Sequence, residues 1–117
     1  MYKPFEIPTQ DEVTEFHQIT FERLRDSPGG YILSTSTGRD ENIELAVDPL
    51  GRSIRLRYSV LSHIVLDVFR EGATKLQLDE PGDKLSVVIE FEAGEIVGTL
   101  TVDIGSTISI KDSLLLR

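Results

Sequence analysis

A chain of 117 residues with 39% apolar and 27% charged residues suits one globular domain, able to bury roughly two-thirds of its unfolded surface without staples. It contains no cysteine, which removes disulfides, zinc ribbons and thiol nucleophiles from consideration. Its formal charge of −8, from 20 acidic against 12 basic residues, disfavours phosphate backbones and anionic membrane surfaces as partners and favours basic proteins.

The start of the chain, Met1-Tyr2-Lys3-Pro4-Phe5-Glu6, has no apolar leader run, and no later segment reaches membrane-spanning length. A cytoplasmic, soluble protein with one domain over residues 1–117 is the expectation, with no nucleic acid and no membrane among its partners. Thr9 and Glu12 then fit a capping box, in which the Thr9 hydroxyl accepts from the Glu12 amide and the Glu12 side chain reaches back. Val13, Phe16, Thr20 and Leu24 share one helical face, acidic residues open the segment, and Arg23 and Arg25 close it, as the helix dipole favours. The spacing predicts an N-terminal helix stopped by Ser27-Pro28-Gly29-Gly30, although Ile19 and Phe21 also suit the opening of a strand.

Tyr31–Ser36 and Asn42–Val47 read as strands. Asp48-Pro49-Leu50-Gly51 reads as a tight turn, because Pro49 presets φ and Gly51 accepts a left-handed exit. Pairing outward from it sets Leu45 opposite Ile54, Ile43 opposite Leu56, and Glu44 opposite Arg55. From Ser59 to Gly72 the period changes. Leu61, Ile64, Val65, Val68 and Phe69 follow helical spacing, Ser59 can cap and Gly72 can terminate, which predicts a mid-chain helix. Its β-branched content is the feature that speaks for a strand. A short strand at Thr74–Leu78 and a Pro81-Gly82 turn follow.

From Lys84 to Arg117 apolar residues alternate with polar ones with a period of two, the pattern of a half-buried antiparallel meander. Its turns set Phe91 against Ile96, Val87 against Leu100, Val102 against Ile108 and Leu100 against Ile110. The fold class expected is therefore α+β: a mostly antiparallel sheet of hairpins and a C-terminal meander, with the N-terminal and mid-chain helices packed on its apolar face.

Little in the chain is equipped for chemistry. His17 and His63 lack companions at metal-ligand spacing, so no metal is expected; His63 with Asp67 at i, i+4 comes nearest to an oriented general base. The carboxylates at Asp40-Glu41-Glu44, at Asp79-Glu80-Asp83, and at Glu90, Glu92 and Glu95 fall mostly in turns and hairpin tips, where charge is solvated. The glycines form no phosphate-cradling loop, and no serine sits in a nucleophile elbow. No cofactor is expected. Arg52, Arg55 and Arg57 gather on one strand, but Glu44 stands ready to neutralise Arg55 and no aromatic residue interleaves for base stacking.

Two functions compete. The first is a non-catalytic interaction module binding a protein partner, a basic one by charge. An antidote to a toxin or nuclease fits the size and acidity, with Tyr31, Tyr58 or Phe69 as anchors and Tyr31, Glu90, Glu92 and Glu95 as partner-facing residues. The second is a small-molecule-binding or enzymatic domain whose pocket between helix and sheet is lined by His17, Arg57, Tyr58 and His63. The closing run Leu114-Leu115-Leu116 makes both faces of a last strand apolar, so it either lies deep in the fold or meets a second chain. With Ile108 and Ile110 it forms a candidate self-association surface for a homodimer, and Leu66 adds a smaller surplus.

Overall fold

The computed structural model describes residues 3–116. It corrects the α+β expectation, because two antiparallel sheets account for nearly all of its regular structure. The first sheet runs in the order β1 (Thr20–Arg23), β2 (Tyr31–Ser36), β3 (Glu41–Asp48), β4 (Ser53–Val60) and β5 (His63–Glu71). The second is β6 (Ala73–Asp79), β7 (Leu85–Ala93), β8 (Ile96–Ile104) and β9 (Ile108–Leu116). Every strand neighbour is the next strand in sequence, so each sheet is a plain meander. Among the described residues a single short helix, α1 (Gln10–Thr14), precedes them. No helix among the described residues is long and apolar enough to cross a membrane.

The capping box forms as read. The Glu12 amide donates to Thr9 Oγ1 and the Thr9 amide to Glu12 Oε1. Only one turn of helix follows, and the segment expected to continue it becomes β1 instead. Phe21 pairs opposite Leu33 and stacks at 5.0 Å from the Tyr31 ring. The cap fixes where a helix starts, but a start says nothing about its length, and the β-branched and aromatic residues from Ile19 to Phe21 gain more on a sheet.

The mid-chain helix is also overturned. Val60 pairs with His63 across a two-residue turn, Leu61-Ser62, in which both residues have positive φ (50° and 66°). β5 then returns along β4, with a bulge opposite Tyr58 and Ser59. Positive φ at both central residues gives the turn the twist that antiparallel strands need. The run Ile64-Val65, with Val68 beyond it, supplies the β-branched side chains a strand favours. Gly72 has the positive φ (87°) expected of a terminating glycine, but it links β5 to β6 and so carries the chain from one sheet to the other.

All three hairpin registers differ from expectation by two residues. Leu45 pairs with Leu56, Val47 with Ile54, and Glu44 with Arg57, because Arg52 (φ 51°) lengthens the turn after Asp48. Phe91 pairs with Gly98 and Ile89 with Leu100 across a tight turn at Gly94-Glu95; Val102 pairs with Ile110. A slip of two preserves the face on which each side chain lies, so the apolar alternation was sufficient to sort inside from outside without fixing the pairing.

The apolar faces of the two sheets close on each other and form the core. Leu33, Ile43, Leu45, Val47, Ile54 and Leu56 from the first meet Leu85, Val87, Ile89, Leu100, Val102 and Ile104 from the second. The second sheet therefore takes the place assigned to the helices. The N-terminal segment closes one flank. Phe5 and Val13 are buried, the Glu6 amide donates to the Thr74 carbonyl, and the Leu76 amide donates to the Glu6 carbonyl, so residue 6 covers the outer edge of β6.

Candidate interaction surface

Period two separates the proposed pocket residues. Arg57 and Tyr58 are consecutive on β4 and point to opposite sides of the sheet. Tyr58 lies on the inner face at the end of the strand, where its hydroxyl donates to Glu41 Oε2 at 2.5 Å. That hydrogen bond holds the phenol above its usual pKa, since ionisation would remove the donated proton. Arg57 lies on the outer face. His17 is exposed in the turn after α1, and His63 is exposed at the start of β5. The four do not converge. His63 and Asp67 also separate, because four residues span about 13 Å along a strand whereas they would be neighbours on a helix.

The space between the sheets gives no substitute. The cavity lined by Ile19, Leu33, Ile43, Leu56, Val87 and Ile104 is about 20 Å³ and apolar, room for a water molecule. Among the described residues no group of three or more His, Cys, Asp or Glu side chains could hold a metal ion.

The partner-facing candidates divide. Tyr31 is only 3% exposed, and its hydroxyl donates to the Pro8 carbonyl at 2.9 Å. Burial pushes its pKa up. It anchors the N-terminal segment to the first sheet and cannot serve as a surface anchor, which corrects that expectation. Glu90 and Glu95 are exposed, the latter at a hairpin tip, while Glu92 is half-buried and accepts from Lys3 Nζ at 3.0 Å.

The outer face of β4 and β5 holds most of the unexpected surface. Asp67 sits between two arginines: Arg55 donates from Nε and Nη2 to its two oxygens at 3.0 and 2.9 Å, and Arg57 Nε lies at 3.5 Å. Arg57 also faces Glu44 at 3.9 Å. The pair with Arg55 holds the Asp67 carboxyl below its usual range. Arg55 and Arg57 are thus neutralised on the sheet surface, with Arg57 rather than Arg55 opposite Glu44. Around this network lie four exposed apolar side chains: Leu61 at 64%, Ile64 and Val65 at 60%, and Phe69 at 62%. Sequence reading assigned these four to a buried helix face. Leu66, counted there as surplus, instead packs against the core.

The closing leucines do not lie deep in the fold, as one reading required. They extend β9 along β8, opposite Ile96, Val97 and Gly98, with Leu114 packed over Gly98, yet Leu114, Leu115 and Leu116 remain exposed. Ile108 and Ile110 are half-buried against the core. β5 and β9 are each the last strand of a sheet, and they are joined by the Arg70 fork to Asp112 at 2.8 and 2.6 Å.

No protein-family model and no curated protein matches the chain. A solved structure is similar to it: a chain of a contact-dependent growth inhibition toxin–immunity protein complex from Klebsiella pneumoniae 342, with a TM-score of 0.81 at 13% sequence identity. The match covers 97% of this chain and 100% of that one. At that identity the likeness establishes the fold alone.

Proposed function

We propose that this chain is an immunity-type protein-binding module, which neutralises a basic protein toxin by occupying its surface. The observation that carries the reading is β5 with the turn before it, where four exposed apolar side chains lie around a charge network fixed on the sheet. Large apolar side chains exposed in this number on one strand and its turn cost solubility in a monomer and suit a partner. The fold-level likeness to a chain of a toxin–immunity complex supports the same class of function, and the charge of −8 supplies attraction to a cationic partner.

Self-association through β9 is a second reading, favoured by its three exposed leucines at an unpaired sheet edge. The test of the first is a growth assay with the product of the gene directly upstream. That product alone should arrest growth, and co-expression of this chain should restore it. Arrest that persists despite soluble expression of the chain would refute the proposal.

A further inference from the structure

The geometry points to β5 as the place where an extended segment of the cationic partner docks, adding itself to the first sheet as a sixth strand. This rests on the protein-binding reading and specifies its mode. An open sheet edge invites pairing with another chain, and proteins commonly cover their edges. Here the covering is lopsided. Residue 6 bridges to β6, α1 lies against β1 with Arg23 bonded to Gln10, and on the opposite flank β5 and β9 have no outer strand among the described residues.

Of the two bare edges, β5 has the features of a recognition strand. It carries an exposed aromatic, Phe69, and it opens from a turn that holds a 64%-exposed leucine at positive φ, where asparagine or glycine would sit without strain. Main-chain hydrogen bonds supply affinity in strand addition, and alternate side chains supply specificity. Along the outer face of β5 the incoming segment meets Asp67, Phe69 and Glu71 in turn. Glu71 makes no ion pair among the described residues. Asp67 is already held by Arg55 and Arg57, so the complementary segment sets an apolar residue beside Phe69 and a basic one beside Glu71. A second copy of this chain is the poorer occupant, since it would bring two charges of −8 together.

Hydrogen exchange on the intact chain, alone and with the upstream gene product, reads the interface directly. In the complex, amides of residues 63–71 should become protected, and those of 108–116 should not change. Phe69→Ser, at a mostly exposed position, should weaken binding at least tenfold, while Leu116→Ser should leave it within twofold. A complex that forms without protection of 63–71 would overturn strand addition and leave the binding reading intact. Protection of 63–71 in the chain alone, rising with its concentration, would assign the edge to a second copy and overturn the choice of occupant. Failure of any complex to form would remove both.

Discussion

Arg70 on β5 and Asp112 on β9 are forty-two residues apart in sequence and hold the last strands of the two sheets together through a two-pronged ion pair. Arg70 also lies 5.0 Å over the Phe91 ring, so the guanidinium is engaged by a carboxylate and by an aromatic face at once. The hydrogen bonds from Arg70 hold the Asp112 carboxyl below its usual pKa. A depressed carboxyl contributes stability that is complete above the unfolded value, about 3.9, and is lost as pH falls through the folded value. Asp112→Asn should therefore lower stability at pH 7 by about 0.5–1 kcal/mol, a figure kept small because the pair is partly solvated. Denaturant titrations of both proteins should converge as pH falls below about 4 and the native carboxyl protonates.

Besides the Glu6 bridge to β6, the N-terminal segment is fastened by the Tyr31 hydroxyl on Pro8 and by the burial of Phe5. Tyr31→Phe removes one hydrogen bond without changing the packed ring and should cost about 1 kcal/mol. Phe5→Ala should cost about 2–4 kcal/mol, and it loosens the segment that covers β6. Thermal unfolding measures both changes. Light scattering should report more aggregation for Phe5→Ala than for Tyr31→Phe, because only the former frees a sheet edge.

Leu61 and Ser62 pay a conformational penalty at the β4–β5 turn. For an L-residue the left-handed region costs about 1–2 kcal/mol, which asparagine and glycine largely avoid. Leu61→Asn with Ser62→Gly should raise stability by about 1–2 kcal/mol and lower affinity for the partner. A turn kept only for folding would gain stability with no change in affinity.

The sequence carried the sorting of faces far better than the pairing of strands. Alternation from Leu85 to Ile104 places the same residues in the core whichever even register holds, and the structure slips each hairpin by two without moving one of them. The registers turned on loop lengths that depend on single residues, such as Arg52 at positive φ. The mid-chain helix failed for a different reason. Leu61, Ile64, Val65, Val68 and Phe69 do fall at helical spacing, but most of them are exposed, so their spacing does not record a buried face. Surface set aside for a partner looks like core when only hydrophobicity is read. The pocket residues came apart for another reason: Arg57 and Tyr58, adjacent on one strand, point to opposite sides of the sheet.

The tail supplies a further check. Truncation after Ser113 removes the contact of Leu114 with Gly98 and three residues of β9 pairing. Stability should fall by about 1 kcal/mol, in keeping with half-exposed side chains, and any dimer should shift to monomer. An unchanged melting temperature and elution volume would count against self-association through β9.

The most direct measurement is a binding titration of the purified chain against the upstream gene product at low and at physiological salt. The account predicts a one-to-one complex whose affinity falls as salt screens the attraction between an acidic chain and a basic one. No binding at either salt concentration, in a preparation whose folding is intact, would contradict it.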